Sequence, residues 1–336
     1  MRLGLFILDE MSDREDRIYS IEEMWLSPLE MINCSIDPGL LPVGGLMIVT
    51  GEPGVGKSFL VQQMGFEIAT GRRILNIFPT KRNKTTYFEL EKMSEIARRR
   101  FKGLSWQQEY ANVGNNLGYY DSHIPSLSTP LDIIKFRGLL RDYGCKVAIM
   151  DSYSVMIDDI RDLQEQKKLI VTYREIAKEE GMSFILVQHL KKRQQVFDRQ
   201  TKTVDIAPLT IDDLMGFKTV VYEADTIVGL VKGKHRHTRQ LIFLKHSHCP
   251  YHLDEEEPLE FVFDGKSSKP LALSEKYLSS IISITDQMGP TSFSDMEAAI
   301  EISRPTLIKY VERLLSFGLI EVEQEDGKKY IVPTHY

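Results

Sequence analysis

The residues best suited to do chemistry lie in one short segment, residues 51–58, which has the pattern G-x-x-x-x-G-K-[ST]. An apolar run, residues 46–50, precedes it, and residues 59–69 read as a helix. Glycines at this spacing let backbone N–H groups turn inward around a phosphate, and a helix N-terminus adds partial positive charge. This context favours a triphosphate-binding site over a glycine-rich turn that binds nothing. The predicted nucleotide-binding residues are Gly51, Glu52, Pro53, Gly54, Val55, Gly56, Lys57, Ser58 and Phe59.

Two residues of this loop and one distant carboxylate have the side chains that a metal-bound triphosphate requires. Lys57 would reach the β- and γ-phosphates, and the Ser58 hydroxyl would bind Mg²⁺. Asp151 ends the apolar run 147–150 and would hold the same Mg²⁺ through water, although it could instead cap the turn after a buried strand. ATP and Mg²⁺ are therefore the predicted cofactors.

Hydrolysis also needs a general base, and the residue after Asp151 is Ser152 rather than a second acid. Glu91 follows the β-rich segment 85–90, and the carboxyl ends of parallel strands form the ligand edge of a sheet. Glu91 would therefore orient or deprotonate the attacking water. Glu89, two residues earlier, would share a side with Glu91 along a strand and remains the alternative.

A second pair of polar residues follows another apolar segment. A helix is predicted at residues 163–180, then a buried strand at 182–187 that ends in Gln188 and His189. Either side chain could contact the γ-phosphate and transmit its loss to the following loop. Equally, either could only cap the strand.

The composition is that of an ordinary globular protein. With 336 residues, of which 42% are hydrophobic and 27% charged, the chain has room for about two domains. Its three cysteines stand far apart, which argues against a zinc site or a disulfide framework and favours a cytoplasmic location. No signal peptide is expected, and no apolar run approaches the ~20 residues of a membrane helix. The net charge of −6 means that nucleic acid would bind only to local basic patches.

In this order, the segments resemble those of the RecA-fold ATPases, in particular the hexameric replicative helicases of the DnaB and plasmid RepA type. The resemblance covers about residues 30–270 and implies an α/β fold with a mostly parallel sheet. It also implies a homo-oligomeric ring, a hexamer in that family. The segments that carry the resemblance are 51–58, 88–94, 147–152, 186–189 and, more loosely, 210–216, 223–225 and 241–250.

The resemblance also implies roles for single residues. By position, Glu91 matches the family's catalytic glutamate, and Gln188 matches its motif after the strand that ends in Asp151. Lys245 matches a lysine that such enzymes present to the nucleotide of the neighbouring subunit. The predicted catalytic residues are Glu91, Lys57, Gln188 and Lys245.

The chain departs from the family at Ser247, where an arginine finger is expected. Arg236 or Arg239 could replace it. Without a replacement, hydrolysis activated by a neighbouring subunit would be slow, since an arginine finger supplies several orders of magnitude in rate.

Two basic segments lie in or beside the predicted ATPase loops. Segment 191–202 follows directly on His189, and in RecA-like rings the loop at this place contacts single-stranded DNA. Its cations and Phe197 suit phosphate contact and base stacking, although a solvated loop is the alternative. Segment 232–239 contains two histidines but no evident third ligand for zinc. The predicted nucleic-acid contacts of the first segment are Lys191, Lys192, Arg193 and Arg199.

Residues 274–336 differ in character from the rest. Helices are expected at 274–288, 292–300 and 303–316, followed by a hairpin at 318–332 with a turn at an Asp-Gly pair. Three helices and a hairpin resemble a winged helix-turn-helix module.

The charge of this module leaves its role open. It has six Lys or Arg residues and ten Asp or Glu residues, a net charge of −4, whereas DNA-binding modules normally present a basic face. Arg304 and Lys309 could contact duplex DNA. Docking on a protein partner is the equal alternative.

The sequence thus predicts three parts, namely an N-terminal extension (1–30), a RecA-like P-loop ATPase domain (31–270) and a winged helix-turn-helix domain (274–336). The predicted function is an ATP-hydrolysing, DNA-associated motor that resembles a replicative helicase. The alternative is a nucleotide-dependent regulator or loader that binds duplex DNA or a protein without unwinding. The predicted partners are ATP, single-stranded DNA and further copies of the chain, with no membrane.

Overall fold

The structure is a computed structural model, and it divides the chain into two units, Met1–Ile32 and Asn33–Tyr336. All elements below belong to the second unit. Of the predicted N-terminal extension, only Ile21 is among the residues described, and no described helix is long and apolar enough to cross a membrane. The described residues are 21, 32–91, 95, 98–99, 101, 113–122, 124, 127–158, 162–190, 195–198, 203–206, 209–214, 219–233, 238–248, 258–263, 270–272, 276–316, 319–325 and 327–334.

Among the described residues, the second unit contains sixteen strands and eight α-helices. The strands are β1 (Cys34–Ile36), β2 (Leu41–Pro42), β3 (Leu46–Gly51), β4 (Thr85–Glu89), β5 (Leu117–Tyr120), β6 (Val147–Asp151), β7 (Ser183–His189), β8 (Gln195–Asp198), β9 (Thr203–Ile206), β10 (Thr226–Lys232), β11 (Thr238–His246), β12 (Leu259–Phe263), β13 (Pro270–Ala272), β14 (Thr291–Ser292), β15 (Ile320–Glu325) and β16 (Lys328–Pro333). The α-helices are α1 (Lys57–Thr70), α2 (Pro130–Tyr143), α3 (Tyr153–Asp158), α4 (Leu163–Glu180), α5 (Thr219–Glu223), α6 (Lys276–Met288), α7 (Phe293–Ile300) and α8 (Arg304–Ser316).

Nine strands form the main sheet, in the order β13-β12-β11-β10-β3-β7-β6-β4-β5. The six strands from β10 to β5 run parallel to one another, whereas β11, β12 and β13 each pair antiparallel with their neighbours. The predicted α/β fold with a mostly parallel sheet is therefore confirmed. The antiparallel extension at one edge was not predicted.

The central strands are apolar throughout because helices cover both faces of the sheet. Along β6, Ile149 belongs to the core cluster that includes the apolar residues of α1, whereas its neighbour Met150 belongs to the cluster with α2 and α4. Successive side chains on a strand point to opposite faces, so an unbroken apolar run fills two cores at once.

The helix predicted over 163–180 begins and ends at those residues, for reasons that are local. The Asp162 side chain accepts a hydrogen bond from the Gln164 amide at 2.7 Å, which caps the N-terminus. Gly181 adopts φ 56° after the last turn, a left-handed conformation that a glycine accepts without a Cβ penalty.

The C-terminal elements lie where the sequence predicted three helices and a hairpin. The strands β14, β16 and β15 form a small sheet, and α6, α7 and α8 pack beside it. Their apolar residues join the core cluster of the main sheet, and Arg73 donates two hydrogen bonds of 3.1 Å to Asp286. The interpretation of this region as a winged helix-turn-helix domain stays a prediction.

Candidate functional site

Four parallel strands, β3, β4, β6 and β7, end at the same edge of the sheet. In the register of the sheet, Glu89 lies beside Asp151, and Gly51 lies beside His189. This edge, which we call the carboxyl edge, therefore brings together loop 51–58 and the polar residues that follow the other three strands.

The backbone of loop 51–58 depends on its glycines. Gly54 and Gly56 have φ angles of 72° and 108°, which residues with a side chain rarely adopt. A Cβ on Gly51 would lie 2.5 Å from the Leu230 carbonyl oxygen, so only glycine fits at the close approach of β3 to β10. These features suit a loop whose amide groups surround an anion.

Lys57 opens α1 and is buried, with its ammonium group beside the loop. Its Nζ donates to the carbonyl oxygens of Gly51 at 2.8 Å and Glu52 at 3.1 Å. Burial lowers the pKa of Lys57, and the negative charges of Asp151, Glu91 and Glu52 partly oppose that shift. Lys57 is thus close enough to interact electrostatically with Asp151, the predicted Mg²⁺ ligand, and with Glu91, the predicted base.

Asp151 ends β6 and is 3% exposed. Its Oδ2 accepts a hydrogen bond from the Tyr87 hydroxyl, which in turn accepts one from Gln62 at 3.2 Å. Burial and the charge of Asp151 raise the pKa of Tyr87, so the phenol stays protonated and donates. Neither Tyr87 nor Gln62 was among the residues predicted for the site, although a tyrosine and a glutamine in otherwise apolar buried segments are a usable signal.

Glu91 follows β4, and its carboxylate meets His189 at the end of β7. The His189 Nε2 and the Glu91 Oε1 are 3.3 Å apart, and the His189 amide donates to Ser154 Oγ at 2.7 Å. The hydrogen bond with His189 lowers the pKa of Glu91 by more than burial raises it. Glu91, whose side chain is 35% exposed, is therefore ionised and accessible.

The alternative base, Glu89, has a different environment. It is 6% exposed, and its Oε1 accepts the amide hydrogen of Glu91 at 3.1 Å. The two acids therefore differ in access, and the more exposed one is Glu91. Gln188, also predicted to act in catalysis, is fully buried on β7 beside Thr50.

The residues present fit a magnesium-bound nucleotide. Ser58 lies half-buried in the first turn of α1, and Phe59 follows it in the same helix. A hydroxyl and a carboxylate, here Ser58 and Asp151, are the oxygen ligands that Mg²⁺ accepts together with phosphate oxygens and water. Among the described residues there is no cluster of three or more His, Cys, Asp or Glu side chains able to hold a metal alone.

Lys245 lies at the other end of the sheet, because β11 runs antiparallel to β10 and pairs it with Ile227. Its Nζ donates to the carbonyl oxygens of Val221 (2.8 Å), Tyr222 (3.3 Å) and Ala224 (2.6 Å). In this structure, the ammonium group therefore caps the carboxyl end of α5. The role of Lys245 toward a neighbouring subunit stays a prediction.

Of the two arginines considered as replacements for the missing finger, Arg236 lies outside the described residues. Arg239 lies against loop 51–58 of its own chain, where its Nε donates to the Val55 carbonyl oxygen at 2.6 Å. Its position therefore differs from that of a residue presented to a neighbouring subunit.

The predicted nucleic-acid contacts are only partly described. Lys191, Lys192, Arg193 and Arg199 lie outside the described residues. Their segment was expected to be a loop, but it contains β8, which pairs antiparallel with β9 just after the segment, in keeping with the Val, Phe, Thr and Ile content of the two strands.

On α8, the two predicted nucleic-acid residues have different surroundings. Arg304 donates to Glu297 at 2.8 Å and lies 4.6 Å above the centre of the Phe293 ring. Lys309, one turn further, is exposed. The guanidinium group of Arg304 is thus already occupied within the module.

Comparison with known proteins gives a family. A family described as an AAA domain matches residues 26–195. No curated protein matches the chain. Among solved structures, a KaiC-like protein from the hyperthermophilic archaeon Pyrococcus horikoshii is 14% identical, with a TM-score of 0.48 over 71% of this chain and 93% of that one.

Proposed function

The chain belongs to the AAA domain family and is a RecA-type P-loop ATPase, and from that premise we propose that it hydrolyses ATP with Mg²⁺ to move along single-stranded DNA. The chemistry is supported by the positions of Lys57 in loop 51–58, of Asp151 at the end of β6 and of Glu91 just after β4, all at the carboxyl edge. A lysine, a magnesium carboxylate and a base are the parts that phosphoryl transfer to water requires.

Each side chain has a task that its surroundings support. Lys57 and the loop amides would neutralise the phosphates, while Ser58 and Asp151 would hold Mg²⁺. Bound Mg²⁺ would supply positive charge to the phosphate oxygens during transfer. Because Tyr87 donates to one oxygen of Asp151, that carboxylate is held in one orientation.

Glu91 would accept a proton from the attacking water. A base must be ionised before the reaction, and the lowered pKa of Glu91 satisfies that condition near neutral pH. His189 contributes by orienting the carboxylate, since its ring contacts Glu91 while its amide is fixed by Ser154.

Support for a DNA motor comes from the basic segment 191–202, which lies directly after β7 in the chain. This segment begins two residues after His189, so a shift of the Glu91–His189 contact would act directly on it. We infer a homo-oligomeric ring in which Lys245 of one subunit faces the nucleotide of the next.

The test is ATP hydrolysis with and without single-stranded DNA. Stimulation by DNA is expected in the wild type, and it should disappear in a variant in which Lys191, Lys192 and Arg193 are replaced by alanine. Lys57→Ala is the control that removes hydrolysis in both conditions. Equal wild-type rates with and without DNA would contradict the motor but leave the ATPase intact.

A second candidate, a nucleotide-dependent regulator or loader, is favoured by the C-terminal module. Arg304 is bound to Glu297, and β15 presents exposed Glu321, Glu323 and Glu325, which repel phosphate. The same module, read as a winged helix, would then recruit a protein partner or an operator. A strand-separation assay distinguishes the two, because a regulator binds in its ATP state without unwinding.

A further inference from the structure

The basic segment 232–239 has no role in the function proposed above, yet its last residue touches the nucleotide loop. We propose that Arg239 is a positioning residue for loop 51–58, which fixes the peptide plane between Val55 and Gly56 so that the Gly56 N–H faces the phosphate. The inference rests on the proposed binding of ATP at this loop.

The contact is short and well anchored. The Nε of Arg239 donates to the Val55 carbonyl oxygen at 2.6 Å, and its Nη1 donates to the Thr238 carbonyl oxygen at 2.7 Å. Two acceptors therefore hold the half-buried guanidinium group, whose planar geometry restricts how it can turn. A hydrogen bond from a charged donor is stronger than one between neutral groups.

Strand register explains why this arginine reaches the loop. Arg239 on β11 lies opposite Lys232 on β10, and β10 is the parallel neighbour of β3, which leads into the loop. The gap between β3 and β10 is narrow, since a Cβ on Gly51 would meet the Leu230 carbonyl oxygen at 2.5 Å. A long side chain from the next strand can therefore span β10 and contact the loop.

Holding the Val55 carbonyl has a consequence for the following amide. The C=O and N–H of one trans peptide unit are rigidly coupled and point in opposite directions. Val55 is 1% exposed, and the Gly56 carbonyl oxygen accepts the Leu60 amide hydrogen at 3.1 Å, so the residues on both sides of this peptide unit are anchored while the plane between them still needs to be set. Arg239 supplies the missing constraint and turns the Gly56 N–H away from itself, toward the space that the loop encloses.

The alternative is that Arg239 only adds positive charge near the phosphates. Lys232 separates the two explanations, because it is the exposed cross-strand partner of Arg239 and belongs to the same basic segment. Lys232→Ala removes one charge of equal sign. A pure charge effect would therefore appear in both variants, whereas a positioning effect appears only at Arg239.

The experiment is titration of ATP into the full-length wild type and the variants Arg239→Ala, Arg239→Gln, Arg239→Lys and Lys232→Ala. We expect the Kd for ATP to rise about 10-fold in Arg239→Ala and Arg239→Gln. The rise should be about 3-fold in Arg239→Lys, which keeps one donor, and less than about 2-fold in Lys232→Ala. At saturating ATP, the hydrolysis rate of each variant that binds should stay within about 3-fold of wild type, because the defect lies in binding.

Thermal unfolding identifies a variant that fails to fold. If Arg239→Ala does not fold, Arg239→Gln decides, since it keeps a longer polar side chain but lacks the charged Nε donor. Unchanged Kd values for ATP in the folded Arg239 variants would overturn the inference. An equal rise of the Kd in Arg239→Gln and Lys232→Ala would overturn it as well. In either case, ATP binding by the wild type would still support the proposed function. A wild-type chain that binds no ATP defeats the proposed function, and this inference falls with it.

Discussion

Charged residues gather at both ends of the parallel strands, and the two groups are built differently. At the carboxyl edge, Lys57 and Glu91 each have few fixed partners, and Glu91 is one-third exposed. At the opposite edge, Asp225 is 3% exposed and receives hydrogen bonds from both terminal nitrogens of Arg174, from the Leu46 amide and from His248. We call this second group the Asp225 cluster.

The Asp225 cluster joins elements that are far apart in the sequence. Arg174 comes from α4, Leu46 begins β3, and His248 follows β11. Burial raises the pKa of Asp225, but the hydrogen bonds outweigh it and leave that pKa below its ordinary value. Buried charges whose hydrogen-bonding groups are all occupied hold strands in place, whereas charges with few fixed partners, such as Lys57 and Glu91, remain available for chemistry. Mutations should therefore separate activity from stability.

The largest expected effect is on hydrolysis, at Glu91. Glu91→Gln should lower kcat by about 10²–10⁴-fold, because a general base supplies a factor of that size. Its affinity for ATP and its unfolding free energy should stay close to wild type, and both are measured by titration and urea unfolding. Glu89→Gln is the matched control, since an amide oxygen still accepts the Glu91 N–H. A larger loss of kcat in Glu89→Gln would reverse the two roles.

The next effect is on stability, at the Asp225 cluster. Arg174→Met should lower the unfolding free energy by about 3–5 kcal/mol, since it leaves a buried carboxylate without its main partner. ATP affinity should not change. Arg141→Met removes an exposed arginine whose nitrogens bind Glu180 at 2.6 and 2.7 Å, and urea unfolding should detect no loss there.

The pH dependence of this stability follows from the lowered pKa of Asp225. The ionised carboxylate stabilises the fold above its unfolded-state pKa, about 3.9, and that contribution disappears as the pH falls through the lower folded-state value. The difference between wild type and Arg174→Met should therefore shrink below about pH 4. A constant difference across the acid range would show that the ion pair is not its source.

A smaller effect is expected at His189. His189→Ala should lower kcat about 10-fold near pH 7, because the carboxylate of Glu91 loses its orientation. The change should also raise the pKa of Glu91 toward its ordinary value. Hydrolysis needs the ionised form, so the acid limb of the kcat profile should move to higher pH. His189→Gln keeps a hydrogen-bond donor and should shift the acid limb of the kcat profile less. If His189→Ala leaves the acid limb where it is in the wild type, the contact between Glu91 and His189 does not lower the pKa of Glu91.

The smallest effect is expected at Lys245, because this residue has a structural contact within its own chain and also a predicted role in hydrolysis. As a donor to two carbonyl groups of α5 and to that of Ala224 just after it, Lys245 should contribute about 1 kcal/mol of stability, lost in Lys245→Met. Hydrolysis would then be unchanged. A loss of hydrolysis at unchanged stability would instead support the predicted role at a neighbouring nucleotide.

Much of the fold and part of the site could be predicted from local patterns. Loop 51–58 is recognisable because its glycines, lysine and serine work within eight consecutive residues. Both ends of the helix at 163–180 were predicted correctly, because the capping residues Asp162 and Gly181 directly flank the helix in the sequence. The antiparallel strands β11 to β13 were not predicted as part of the sheet, since their pairing depends on partners elsewhere in the chain.

The sequence by itself determined two things: that loop 51–58 is a phosphate-binding loop, and at which positions acidic residues end or follow the strands. Only the tertiary structure decided which groups meet: Glu91 with His189, Tyr87 with Asp151, and Arg239 with Val55, pairs that lie 98, 64 and 184 residues apart. The physical reason is that local propensity sets the elements, whereas the register of a sheet sets which strand ends become neighbours. A hydrogen bond between two strand ends leaves no pattern in either segment alone.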